Sequence, residues 1–217
     1  MHFSTPDNQS SSTWGQDHGP SKSALLDVAA RIKPWIHRTP VATSHYLNEL
    51  SGAALYFKCE QLQRMGAFKM RGAVSAIAAL TDQERARGVV THSSGNFGQA
   101  VALASKIMGI KAYVVMPLGT PKVKRDAVLS YGAEVTDCAP NLWARETATQ
   151  EIINKTGATA LHPSNAMEVI LGNATATMEL LEEVPDLNGV MAPVGGGGLL
   201  AGTALATAHF GHNCHCW

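Results

Sequence analysis

Three segments of this 217-residue chain hold residue types that could do chemistry. The first is FKMRGAVSAI, residues 68–77, with Lys69 at the expected start of a helix. A lysine there feels the positive end of the helix dipole, and partial burial acts in the same direction, so both favour the neutral amine. A neutral amine is the form that attacks an aldehyde to give a Schiff base. Arg71 adds a further positive charge in the same sense. Taken alone, Lys69 reads more simply as a solvated helix lysine.

The second segment is THSSGNFGQAVALAS, residues 91–105. A strand should end near His92, and Ser93, Ser94, Gly95 and Asn96 then make a polar turn before an apolar helix. Ligands of an open α/β sheet bind beyond the carboxyl ends of its strands. Hydroxyls, an amide and free N–H groups at a helix start suit such a place. Ser94 or Asn96 could also cap the helix, which is compatible with binding. The third segment is GVMAPVGGGGLLAGTALA, residues 189–206. A strand runs into Gly195, Gly196, Gly197 and Gly198, then a helix, so consecutive N–H groups could converge on one anion. The loop lacks the Gly-Lys-Ser/Thr of a P-loop, and it is not a dinucleotide G-x-G-x-x-G at a first strand.

The elements that must position these segments alternate. Strand-like runs are ALYFKCE, GVVTH, IKAYVVMP, AEVTDCA, GATALH and GVMAPV. Helical stretches lie after Lys69, Asn96, Pro121, Asn141 and Ala166. The alternation predicts an α/β fold with a parallel sheet covered on both faces. Residues 85–165 hold four strand–helix units and form a smaller domain; residues 21–84 and 166–217 pair as a larger one. Within SALLDVAARIKPWI, Leu25, Leu26, Ala29 and Ile32 should share a helical face, ended by Pro34. Residues 1–20 are polar and aperiodic and are expected to be a disordered tail.

Composition narrows the function. Lys plus Arg (17) equal Asp plus Glu (17), which argues against nucleic acid and anionic membrane as partners. No run approaches a membrane span, and the N-terminus has no secretory pattern. Cys59, Cys138, Cys214 and Cys216 show no disulfide framework, so the reduced cytosol is the expected compartment.

AFKMRGA, SSGNFGQA and PVGGGGLLAG, in that order, resemble the fold-type II pyridoxal phosphate (PLP) enzymes, above all the serine racemase and serine/threonine dehydratase family. HRTPV (37–41), FKCEQLQ (57–63), VVMPLGTPKVKRDAVLSYGAEV (114–135) and LHPSN (161–165) fit the same family. The resemblance implies a tryptophan synthase β-like fold, two open twisted sheets with helices on both faces. It implies PLP on Lys69, with Phe68 packed nearby, Asn96 on the ring 3-hydroxyl and Gly195 to Gly198 on the phosphate. Ser93, Ser94, Gly95, Asn96 and Gln99 match the loop that grips the substrate carboxylate. Lys69 would move the Cα proton, and Ser94 stands where racemases place the serine of the opposite face. The implied substrate is a small hydroxy amino acid, and a homodimer is allowed. Elimination to a 2-oxo acid and ammonia is the favoured outcome; racemisation is the alternative.

The chain departs from the family pattern in places. Phe97 stands where a histidine is usual, and Gly172, Asn173, Ala174 and Thr175 replace the usual G-Q-G-T. The ending HFGHNCHCW shows no helical period and does not resemble the family, so the larger domain is expected to be incomplete, as in a C-terminally truncated isoform. Such an isoform could be inactive and bind PLP or a full-length subunit. His212, Cys214, His215 and Cys216 fit no common zinc spacing, and no metal site is expected.

Overall fold

A computed structural model describes residues 19–217; the tail expected over residues 1–20 lies outside them except for Gly19 and Pro20. Helix α1 (Lys22–Ile32) starts where the Ser21 hydroxyl accepts the Ala24 N–H. It ends as Pro34 enters a 3-10 turn, Lys33–Trp35. Leu25, Val28 and Ile32 are its buried stripe. Leu26 is 50% exposed, against expectation: one residue of helix turns it about 100° away from Leu25. Strand β1 (Val41–Thr43) pairs antiparallel with β2 (Tyr56–Lys58) across α2 (His45–Ser51). Helix α3 (Lys69–Ala78) is buried from Met70 to Ile77, and α4 (Asp82–Arg87) opens on a Thr81–Glu84 capping box.

A parallel sheet follows from one continuous stretch of chain. Its elements are β3 (Val89–His92), α5 (Asn96–Met108), β4 (Ala112–Pro117), α6 (Lys122–Ser130), β5 (Glu134–Cys138), α7 (Leu142–Thr156) and β6 (Thr159–Ala160). The strand order is β5-β4-β3-β6. Alternate residues face opposite ways. Val89, Val114 and Met116 join the main core with Val101 and Ala104 of α5, whereas Val90 and Tyr113 pack with Ile152 and Ile153 of α7. Both faces are therefore covered, as the alternation predicts.

Helix α8 (Met167–Glu183) then crosses α3, β7 (Gly189–Val190) leads into α9 (Gly198–Phe210), and β8 (His215–Cys216) closes the chain. The helices meet at glycines. A Cβ on Gly172 would fall 2.4 Å from the Arg71 carbonyl oxygen and 2.6 Å from the Ser75 Cβ. A Cβ on Gly202 would fall 2.7 Å from the backbone of Ile170 and Ala174. Backbone cannot yield as a side-chain tip can, so Gly172→Ala is expected to cost about 1–3 kcal/mol, read as a lower midpoint in urea unfolding. An unchanged midpoint would show that α3 and α8 part without penalty.

The second expected sheet is present as two ribbons, β1–β2 antiparallel and β7–β8 parallel. The last nine residues, which show no helical period in sequence, are ordered by backbone pairing. His209 and Phe210 complete α9, His215–Cys216 pairs with β7, and the Trp217 N–H donates to the Val190 carbonyl at 2.9 Å. Backbone hydrogen bonding needs no side-chain period, so composition could not show it. Between β2 and β7 lies an open cavity of about 810 Å³, lined by Leu47, Tyr56, Phe57, Leu180, Leu187 and Met191 among others. Among the described residues, no helix is long and apolar enough to cross a membrane.

Candidate active site

Strand order reverses at β3: β4 and β5 add on one side of it and β6 on the other. The crevice beyond the carboxyl ends of such a pair is the ligand site of an open α/β sheet. Residues 93–95 leave β3 there, and residues 161–165 leave β6. The two exits are tied together. The Leu161 N–H donates to the Val90 carbonyl at 2.8 Å, and the Thr91 hydroxyl donates to the Leu161 carbonyl at 2.8 Å.

Lys69, the first residue of α3, reaches this crevice. Its Nζ donates to the Pro163 carbonyl at 2.9 Å and lies 5.1 Å from the Phe68 ring centre and 5.7 Å from that of Phe97. Burial pushes its pKa below the usual lysine range. The expected contribution of Arg71 is absent. Arg71 is fully buried, and its guanidinium donates to Glu60 at 2.8 Å and to Glu179 at 2.8 and 2.9 Å. Lys58 also meets Glu179, at 2.8 Å, so two positive and two negative charges balance locally. A buried guanidinium must be paired, and pairing removes its influence on Lys69. Phe97, where the family pattern has histidine, is 2% exposed and gives the amine an apolar neighbour instead of a titrating one.

The turn after β3 is open to a ligand. Gly95 is the N-cap of α5 and no side chain caps the helix, so neither Ser94 nor Asn96 plays that part. Ser93 Oγ accepts the Gly95 N–H at 3.3 Å instead. Among the described residues, the side chains of Ser94, Asn96 and Gln99 make no hydrogen bond. Asn96 is exposed, and Ser94 and Gln99 are half-buried. Gly98 lets α5 close onto the turn, since a Cβ there would fall 2.3 Å from the Ser93 carbonyl oxygen.

Three of the four loop glycines have local reasons. Gly197 caps α9 with φ 83°, in the left-handed region. Cβ atoms on Gly196 and Gly198 would fall 2.5 Å from Ser164 Oγ and 2.9 Å from Ser164 Cα. Among the described residues, a Cβ on Gly195 would meet nothing within 4 Å, which leaves an open face. Ser164 follows Pro163, so the glycine loop and the Lys69 amine sit on consecutive residues of one turn. Sequence reasoning placed LHPSN in the family pattern but assigned no role to His162, Pro163 or Ser164. The contact of Lys69 with Pro163 spans 94 positions and leaves no local signal.

Residues 32–217 match the family model described as pyridoxal-phosphate dependent enzyme. The chain belongs to that family. It is 49% identical over 189 residues to serine racemase from Dictyostelium discoideum, covering 87% of this chain and 58% of the racemase. The crystal structure of that racemase superposes with a TM-score of 0.82, covering 84% of this chain and 60% of the other. A beta-hydroxyaspartate dehydratase from Paracoccus denitrificans is 46% identical, covering 86% of this chain and 59% of the dehydratase. The processed form of threonine deaminase isoform 2 from Solanum lycopersicum has a TM-score of 0.82 at 31% identity, covering 92% of this chain and 56% of the other. The chain thus spans less than two thirds of the length of each of these relatives. The family is one of PLP-dependent racemases and lyases, and the fold is its type II α/β fold. The site suits PLP chemically: it offers a half-buried amine of lowered pKa, and a glycine loop, seated on Ser164, that keeps an open face at Gly195. Among the described residues, no three His, Cys, Asp or Glu side chains are grouped to hold a metal.

Proposed function

We propose that this protein carries PLP on Lys69 and eliminates water from small hydroxy amino acids such as L-serine and L-threonine, giving a 2-oxo acid and ammonia. The observation that carries the reading is the Lys69 amine, half-buried at the switch point of the sheet and joined through Pro163–Ser164 to the glycine loop. Bound PLP would supply the electron sink that accepts the negative charge developing at Cα. The residues of the chain supply the rest. Gly195, Gly196, Gly197 and Gly198 hold the phosphate with backbone N–H groups. Asn96 meets the ring hydroxyl. Ser93, Ser94, Gly95, Asn96 and Gln99 orient the substrate carboxylate. Phe68 and Phe97 exclude water beside the amine, and its lowered pKa leaves Lys69 better able to accept the Cα proton. The proton taken from Cα by Lys69 passes to the hydroxyl, which leaves as water as the Cβ–O bond breaks, and hydrolysis of the released enamine gives the keto acid and ammonia. In this reading residues 85–165 act as the smaller domain, closing on a larger one built from residues 21–84 and 166–217.

Racemisation is the second reading, supported by the 49% identity to a serine racemase and by the unbonded hydroxyl of Ser94. In it, Ser94 returns a proton to the face of Cα opposite Lys69. One experiment separates the two. The protein is incubated with PLP and L-serine or L-threonine, and keto acid and D-amino acid are both measured, with and without Ser94→Ala. Elimination predicts keto acid from the wild type and, at saturating substrate, from Ser94→Ala, with a raised KM because Ser94 helps hold the carboxylate while Lys69 takes the proton. Racemisation predicts D-serine, lost by about a hundredfold or more in Ser94→Ala. Absence of keto acid from both substrates would reject elimination.

A further inference from the structure

The turn at residues 162–165 touches both halves of the proposed cofactor site. The Pro163 carbonyl accepts from Lys69 Nζ, and Ser164 fills the space that side chains on Gly196 and Gly198 would need. One side chain bonds the backbone of this turn twice. His162 Nδ1 accepts the Ser164 N–H at 3.2 Å and the Asn165 N–H at 2.9 Å. Nδ1 thus serves as the acceptor of the ring in this turn. The ring also stands edge-on to His92, 6.2 Å between centres. His92 is the last residue of β3, immediately before the Ser93–Asn96 turn.

We propose that His162 is a positioning residue: its Nδ1 holds the 162–165 turn in the shape that brings Lys69 and the glycine loop to one ligand. The proposal rests on the reading of Lys69 and the glycine loop as the PLP site. The geometry is that of an acceptor at one position taking the N–H groups two and three residues later. Asn and Asp provide the same acceptor in helix caps and Asx turns, and they do so readily before proline. Asparagine should therefore replace His162, whereas apolar residues of similar bulk should not.

The test uses the full chain and compares wild type with His162→Leu, His162→Phe and His162→Asn. His162→Phe keeps a ring against His92 without the acceptor, so it serves if the leucine variant does not fold. Two quantities are measured: exchange of the Ser164 and Asn165 amide protons without cofactor, and PLP affinity by absorbance titration. Loss of the acceptor should speed exchange and weaken PLP binding, each by about tenfold, and His162→Asn should restore both to within about threefold of wild type. The proposal is overturned if the leucine and phenylalanine variants match wild type. It is equally overturned if asparagine is no better than they are, since the ring would then act by packing alone. If the wild type itself takes up no PLP, the reading beneath the proposal fails, and amide exchange still decides whether Nδ1 holds the turn.

Discussion

Lys69→Ala is expected to abolish covalent attachment of PLP and to lower any turnover by at least about a thousandfold, because both the amine that attaches the cofactor and the proposed base are lost. The checks are the visible absorbance of protein mixed with PLP, and mass analysis after borohydride treatment. In the wild type, borohydride should leave the added mass on Lys69; in the variant there should be none. An equal adduct in the variant would place the chemistry on another lysine. The fold should survive, since Lys69 is half-buried and the hydrogen bond its side chain loses is the one to Pro163. Stability should even change its pH dependence in a defined sense. Burial holds the folded pKa below that of the unfolded chain. Between the two values the unfolded chain binds more protons, so wild-type stability rises with pH through that window. Below it the penalty is fully present. Lys69→Ala should remove this rise, and urea unfolding at neutral and alkaline pH would show it.

Arg71→Met carries the largest expected effect on stability, a loss of about 3–5 kcal/mol, because the partners of a buried charge are left behind. Among the described residues, the Glu60 carboxylate would keep only its bond from the Thr39 hydroxyl at 2.6 Å, and that of Glu179 only its bond to Lys58. Burial opposes the charge on Glu179, but the hydrogen bonds and charge of Arg71, then of Lys58, hold its pKa below the usual carboxylate range. A depressed carboxylate contributes stability above its unfolded pKa and loses it as pH falls through the folded value. The wild type should therefore weaken on acidification more steeply than Arg71→Met. Arg71→Lys should recover only part of the loss, since one ammonium cannot reproduce a guanidinium that bonds two carboxylates. Urea unfolding at pH 7 and near pH 4 measures both points; a variant within about 1 kcal/mol of wild type at pH 7 would refute the cluster's importance.

How much of this was readable in the residues alone depended on range. The strands at 89–92 and 112–117 and the helices after Asn96 and Ala166 follow from local pattern, and they stand where that pattern puts them. The short α2 and α4, seven and six residues long, are too brief to show a period, although the Thr81–Glu84 pair is a readable start signal. The site divided the same way. Lys69, the polar turn and the glycine loop were visible as types in order. Their joint was not: Pro163 meets Lys69 across 94 positions, and Glu179 meets Arg71 across 108. Arg71 was misjudged for that reason, since its charge is evident in sequence but its partners are not. Neither Ser94 nor Asn96 caps α5, because Gly95 takes the cap position and Ser93 bonds its N–H.

The continuity of the β3–β6 sheet has a consequence for the order in which the molecule is built. All four strands and the helices between them come from residues 89–160; β3–β4 and β4–β5 pair nearby segments such as Val89 with Ala112 and Tyr113 with Glu134, and only β3–β6 reaches further, from Val89 to Thr159. Contacts of short sequence separation close with little loss of chain entropy, so this block is poised to condense early. The α3–α8 crossing and the Arg71 cluster must wait for residues about a hundred positions later. On a ribosome, the sheet would be complete while α8 was still emerging. The crevice at its switch point would therefore exist before the lysine was held in it, and assembly of the chemical site would be the late event in folding.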